Sequence, residues 1–351
     1  MEPRARSPAS TTQDGPSVKL ESENPSPETL SAFRALSDPT RARIVRVLAS
    51  GPFHVNELAE ILGARQSTVS RHLRLLSEAN LVTCRRSRTW AYYSLSPQDG
   101  KRFPSRLLGL LAGEWEGSAN PDAPGIEAAL ARRRRATAEF FRRSAGKWDG
   151  LRDRMLGPSA KRGPIVDWIA EGEEVVVDLG TGTGVLLEAL SARARKLIGI
   201  DSSPEMLEIA RRRTKEAGLA NAELRLGALE HLPLSDQEAT AMVANLVLHH
   251  VANITEVLRE IRRGLAPGGR LVIAELTEGG DESFWQSIGA QWPGFRPEDL
   301  REKLVSSGFQ VEREETLSEI AMEMNGNSES NGNSGTGNRP ELFLLNARRM
   351  E

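Results

Sequence analysis

Residues 175 to 184 read Val-Val-Val-Asp-Leu-Gly-Thr-Gly-Thr-Gly, a run suited to holding a nucleoside-derived cofactor. The β-branched stretch predicts a buried strand. Asp178 closes it, and a loop follows with glycine at alternate positions, Gly180, Gly182 and Gly184. Glycine lets the backbone approach a ligand closely and adopt positive φ. An apolar stretch then predicts a helix over Val185–Ala194, whose N–H groups and positive end would face the ligand. A second strand ends at Asp201, a carboxylate able to accept from both hydroxyls of a ribose. Thr181 and Ser202 adjoin the two acids, and Met206 can pack on an adenine. A nicotinamide loop of the Gly-x-Gly-x-x-Gly type would need glycine at 185, where Val185 stands. A methylsulfonium cofactor carries a cation and no phosphate, so acids beside the loop attract it.

Methyl transfer also needs an aligned acceptor and sometimes a base. The candidates are Asn245, His249 and His250, beyond the fourth strand. They could orient or deprotonate an acceptor, or only cap the strand and line the pocket. Phe284, Trp285, Trp292 and Phe295 could form a lid or a packed flap.

Elements must place these residues. Strands are predicted at Glu174–Asp178, Lys196–Asp201, Ala222–Leu226, Thr240–Leu246 and Arg270–Leu276. Helices are predicted between them, near Pro204–Ala217 and Ile254–Leu265. That alternation implies an α/β domain with a parallel sheet covered on both faces. A helix at Pro297–Ser306 and strands at Gln310–Leu317 and Leu342–Ala347 complete it. Asn, Gly and Ser dominate 325–338, a flexible hairpin tip.

The first half reads differently. Val55 to Leu62 and Gln66 to Leu76 predict two helices joined at Gly63, a helix-turn-helix. Gln66, Ser67, Thr68, Ser70, Arg71 and Arg74 lie off the apolar face and would enter or flank a major groove. Two short strands follow, with Arg85, Arg86 and Arg88 at the tip between them, making a wing for phosphates or the minor groove. Basic residues dominate from Arg65 to Arg106, where only Glu78 and Asp99 are acidic. Double-stranded operator DNA is the expected partner.

The motif Ser37-Asp38-Pro39-Thr40-Arg41, with Gln66-Ser67-Thr68-Val69-Ser70-Arg71-His72-Leu73, resembles the ArsR-type winged-helix repressors. That resemblance implies a homodimer reading a pseudo-palindromic operator. Metal-sensing members carry Cys-Val-Cys where this chain has His54-Val55-Asn56, so no metal site is expected there. The second half resembles the class I S-adenosylmethionine-dependent methyltransferases, through the glycine loop, Asn245 to Val251 and Leu265 to Leu271. It implies a Rossmann-like seven-stranded sheet with its last strand antiparallel, a leading segment at Phe141, Ala145, Trp148 and Asp149 that folds over the cofactor, and S-adenosylmethionine or S-adenosylhomocysteine as ligand. By that resemblance Ala228 and Leu229 sit at the adenine, Ala228 replacing an aspartate that bonds the adenine amino group. Glu230 could substitute for it, or backbone groups could hold the base.

The expected organisation is a disordered tail over 1–27, a winged helix over 28–97, a helical connector suited to dimerisation over 98–139, and the cofactor domain over 140–351. Within the connector, Arg132 to Arg135 reads as a solvated helix face or dimer-flanking arm. The 351 residues suit two domains, the net charge of -2 points to no partner by itself, and one cysteine excludes an internal disulfide. Arsenite methyltransferases need several cysteines, so arsenic methylation is not expected. With no membrane-length apolar run and no signal-peptide core, the expected location is the cytoplasm. The favoured function is a transcriptional regulator that senses the cofactor. The alternative is an active small-molecule methyltransferase with an autoregulatory DNA-binding domain.

Overall fold

A computed structural model describes residues 25–87, 90–96, 102–115, 117–156, 165–280, 282–317 and 340–351. The predicted tail (except its last three residues), Arg88 and the tract at 325–338 lie outside the described residues.

The first domain opens with α1 (Pro27–Leu36) and α2 (Pro39–Leu48). Asp38 caps α2, accepting from the amides of Thr40 and Arg41, while Pro39 supplies a helical φ in the first turn. A two-residue strand absent from the sequence reading, β1 (Phe53–His54), precedes α3 (Val55–Leu62). Gly63, at φ 62°, ends α3 and allows the turn into α4 (Gln66–Glu78). Strands β2 (Val82–Ser87) and β3 (Trp90–Leu95) form the wing hairpin, in a sheet of order β1-β3-β2.

The connector is two helices, α5 (Phe103–Trp115) and α6 (Ala123–Ser144). The border expected at 139/140 falls inside α6. Leu108, Ile126, Ala129 and Leu130 are buried in the winged-helix core, so the connector packs on its own chain. The run Arg132 to Arg135 is a solvated face only in part: Arg132 and Arg135 are exposed and Arg134 is half-buried. Arg133 is only 7% exposed. It makes a two-pronged ion pair with Glu57 at 2.9 and 2.6 Å, donates to the Pro52 carbonyl, and stacks on Phe53 and Trp292. The surrounding acids and aromatic rings, invisible to a local reading of the charge run, draw it inward.

A 3-10 turn leads from α6 to α7 (Trp148–Leu156). The second domain then runs β4 (Glu173–Leu179), α8 (Leu187–Ser191), β5 (Ala194–Asp201), α9 (Pro204–Glu216), β6 (Ala222–Leu226), β7 (Ala239–Asn245) and α10 (Ile254–Gly264). It continues with β8 (Leu265–Leu276), α11 (Glu282–Ser287), α12 (Pro297–Ser306), β9 (Phe309–Leu317) and β10 (Leu342–Arg349). The seven strands lie in the order β6-β5-β4-β7-β8-β10-β9, with β10 antiparallel to both neighbours. Alternate residues serve opposite faces: Met242 and Ala244 of β7 join one core layer, Ala241 and Val243 the other. Order 5-4-7 in mid-sheet leaves a crevice at the strand ends, where the strand order reverses about β4.

One predicted element changes. The helix expected over Val185–Ala194 is only Leu187–Ser191. Gly180, Gly182 and Gly184 all take positive φ (67°, 55° and 78°), which postpones the helix. Residues 181–186 are therefore turn, and the loop backbone rather than a helix end faces the crevice.

Candidate functional site

A cavity of about 270 Å³ opens over the ends of β4, β5 and β7, beneath α6 and α7. Asp178, Gly180, Thr181, Gly182, Asp201, Ser202, Met206, Ala228, Leu229, Asn245, His249 and His250 all line it. Gly184 does not. A Cβ there would lie 2.8 Å from Leu187 and 3.1 Å from Ala210, so this glycine serves loop-to-helix packing. Gly180 does the opposite job at the cavity wall: a Cβ would come 2.3 Å from Val247. Leu246, a non-glycine residue at φ 54°, turns the chain sharply where β7 meets the cavity.

The two acids are held differently. Asp178 is buried and accepts the Thr181 hydroxyl at 2.6 Å. Burial pushes its carboxyl up to about 7, the neighbouring Asp201 charge adding to the rise. Asp201 accepts the Gly182 amide on one oxygen and the Ser203 amide on the other, each at 2.8 Å. It therefore braces both the loop and the start of α9. Desolvation raises its carboxyl too.

Glu230 also lines the cavity and accepts the Ala252 amide at 3.2 Å. His249 Nδ1 stands 2.7 Å from Glu275 Oε2, and Glu275, with no solvent exposure, also accepts the Leu248 amide. His250 Nδ1 lies 3.2 Å from the Gly289 carbonyl, a contact that places the proton on Nδ1. Its Nε2 is buried without a hydrogen-bond partner. Burial, with His249 alongside, holds His250 well below the usual imidazole range, so it is neutral. Of the four aromatic residues over 284–295, Phe284 lines the cavity. Trp285 and Trp292 donate their indole N–H groups to Gly279 and Val251 carbonyls and form a packed flap.

The roof combines Phe141 and Trp148, which the methyltransferase resemblance places over the cofactor, with residues that sequence reasoning missed, Thr137, Ala138 and Arg152. Thr137, Ala138 and Phe141 of α6, with Trp148 and Arg152 of α7, close the cavity from above. Phe141 meets His250 edge-on at 4.8 Å. Thr137 and Ala138 stand one helical turn before Phe141, a usable signal that they share its face.

The residues fit a nucleoside sulfonium. Asp201 lines the cavity as an acceptor for a diol, the acids supply negative field for a cation, and Gly180, lacking a Cβ, lets the loop run close against Val247 at the cavity wall. When bound, S-adenosylmethionine supplies an electrophilic methyl group. Asp178 gives the fit a pH signature. An acid with a raised folded pKa binds its proton until pH passes about 7, and a cationic ligand prefers the ionised form. Affinity for S-adenosylmethionine should therefore rise about tenfold from pH 6 to pH 8, with proton release, as calorimetry in two buffers would show. The apo fold runs the other way, losing stability from pH 3.8 up to about 7 as its buried acid gives up the proton. A flat affinity profile would remove Asp178 from the binding role.

In the first domain, Gln66, Ser67, Arg71 and Arg74 are exposed on α4, while Thr68 and Ser70 are half-buried. Arg86 lies in β2 opposite Ala91. Arg85 departs from the expectation of a free wing contact. Its guanidinium reaches Glu278 at 2.8 Å and also pairs with Asp299, both in the second domain.

Residues 177–273 match the methyltransferase domain family and residues 36–85 a helix-turn-helix domain family. A demethylmenaquinone methyltransferase of Thermotoga maritima is 37% identical over 155 residues, 42% of this chain and 65% of that protein. An uncharacterised 37.1 kDa protein in transposon TN4556 of Streptomyces fradiae is 42% identical over 124 residues, 34% of this chain and 33% of its own. The chain thus spans between about a third and two thirds of these curated relatives. Among solved structures, an S-adenosylmethionine-dependent methyltransferase from Mesorhizobium loti is 22% identical, with 55% of this chain and all of that chain covered, at a TM-score of 0.44.

Proposed function

We propose that this chain, which joins an ArsR-type helix-turn-helix domain to a methyltransferase domain, is a transcriptional regulator that binds operator DNA and senses S-adenosylmethionine or S-adenosylhomocysteine. The observation that carries the reading is α6. Its first half, through Ile126, Ala129 and Leu130, belongs to the winged-helix core. Its second half, through Thr137, Ala138 and Phe141, roofs the cofactor cavity. One rigid helix cannot shift over the ligand without moving α3, against which it packs and which precedes the recognition helix α4. The Arg85 pairs supply the complementary link, because a DNA phosphate reaching Arg85 competes with Glu278 and Asp299.

The test uses a duplex that the full-length protein selects from a random pool. Its affinity should differ at least about fivefold between the ligand-free and S-adenosylhomocysteine-saturated protein. Joint Glu278→Gln and Asp299→Asn replacement should tighten ligand-free binding. Equal affinity in both ligand states ends the sensing reading.

Exposed Leu30 and Phe33 on α1 and Leu110 on α5 supply an apolar face consistent with a homodimer. As a DNA-binding regulator the chain would work in the cytoplasm. Among the described residues, no helix is long and apolar enough to cross a membrane.

A second reading, methyl transfer to a small-molecule acceptor, is favoured by the His249–Glu275 pair. The carboxylate fixes the ring through Nδ1, leaving Nε2 of a cavity-lining histidine to take a proton from an acceptor. Incubation with methyl-labelled cofactor and a metabolite extract separates the two readings, since a sensor transfers no label. Arsenic chemistry is not part of this reading, because the sole cysteine, Cys84, stands in β2 of the wing.

A further inference from the structure

Single residues cross the boundary between the two domains in both directions. Ala252, two residues beyond His250, is buried in the winged-helix core. Its amide donates to Glu230, which lines the cavity. In the other direction Tyr92, a residue of the wing strand β3, is buried in the core of the second domain. Its ring lies 5.3 Å from Trp292 of the flap and 3.8 Å from His54, the residue that immediately precedes α3.

A buried tyrosine hydroxyl needs a partner. That of Tyr92 donates to the Gln291 carbonyl at 2.9 Å. The amides of Gln291 and Trp292 in turn donate to the His249 carbonyl, at 2.7 and 3.2 Å. The Gln291 side chain donates to the Thr137 hydroxyl on the cavity roof at 2.8 Å. Gln291 thus joins the wing, the roof helix α6 and the histidine segment of the cavity wall. Tyr92 also stands directly opposite Arg85 in the hairpin, and opposed residues of a strand pair share a face. One rung of the wing therefore carries both attachments, Arg85 to Glu278 and Asp299 and Tyr92 to Gln291. The ion pairs are partly exposed and weakened by salt, whereas the tyrosine is dry and fixes the docked geometry.

We propose that Tyr92 is a positioning residue that the DNA-binding domain lends to the cofactor cavity. Through Gln291 its hydroxyl holds the His249–His250 segment in place while the wing is docked. A ligand that displaces these cavity-lining histidines moves Gln291 and loosens the wing, and a duplex that draws the wing away releases the histidines. This rests on the sensing reading above and names the residue through which the two sites are coupled.

The experiment measures both directions of that coupling on the full-length protein. One arm titrates the selected duplex with and without saturating S-adenosylhomocysteine, and the other titrates S-adenosylhomocysteine with and without the duplex. In the wild type the two ratios should agree, at about fivefold or more, because coupling between binding sites is reciprocal. Tyr92→Phe keeps the ring against Trp292 and His54 and removes the hydroxyl. It should bring both ratios below about twofold while the affinity for each partner alone changes little. Those separate affinities and the melting temperature report an intact fold. Wild-type ratios in Tyr92→Phe, or loss of a single affinity with the ratios kept, overturn the assignment while the sensing reading stands. If the wild-type ratios are themselves one, the sensing reading falls and this inference with it.

Discussion

Arg133→Met will lower the stability of the full-length protein by about 3 kcal/mol and split its thermal unfolding into two transitions. The side chain is buried at 7% exposure between Phe53 of the winged helix and Trp292 of the second domain. Methionine fills much of the same space, so the loss is mainly electrostatic. Glu57 loses both charged bonds and stays partly buried, still accepting the His54 amide at 2.8 Å. Breaking a buried pair from one side leaves an uncompensated charge, which costs more than the pair's net worth. The same residue holds α6 against both domains, so its loss should also flatten the ligand dependence of DNA binding. For a chain of this size the melting temperature should fall by roughly 6–12 °C, read by scanning calorimetry. A single transition at the wild-type temperature would show that Arg133 does not join the domains.

Asp201→Ala carries the largest expected effect on ligand affinity. The carboxylate accepts two backbone amides and lines the cavity as an acceptor for two ribose hydroxyls. Losing two charged hydrogen bonds is worth about 3–5 kcal/mol, roughly a hundred- to several-thousandfold in the dissociation constant for S-adenosylhomocysteine. The Gly182 amide also loses its partner, so the loop loosens. Asp201→Asn separates these roles. Its side-chain oxygen can keep one amide, while its NH2 group cannot accept a hydroxyl, and an intermediate loss should follow. The measurement is isothermal titration, with circular dichroism to confirm an intact sheet. Unchanged affinity in the alanine variant would mean that the crevice holds some other ligand.

Much of the architecture was legible because it rests on local patterns. Val175 to Val177 could only be a buried strand, and the alternation of strands and helices demanded a parallel sheet. Asp38-Pro39 marked a helix start by its own chemistry, since the cap needs only groups two and three residues away. The positions of Asp178, Asp201 and Asn245 followed from strand ends, which a sheet of this topology brings to one edge.

Local pattern misled where tertiary contact outweighed it. The apolar run after Gly184 had helical character, yet three positive-φ glycines delayed the helix to Leu187. Arg85 sits at a wing tip by sequence, but Glu278 and Asp299 lie about two hundred residues away and claim it.

The sequence alone determined the two domains, the sheet and the acids at the crevice, because hydrophobic period, turn chemistry and glycine spacing act over a few residues. The tertiary structure decided which arginines are buried, which further residues complete the roof of the cavity and how one helix comes to serve both halves. Those outcomes depend on the pairing of distant charges and the seating of side chains against surfaces that exist only once the chain has folded.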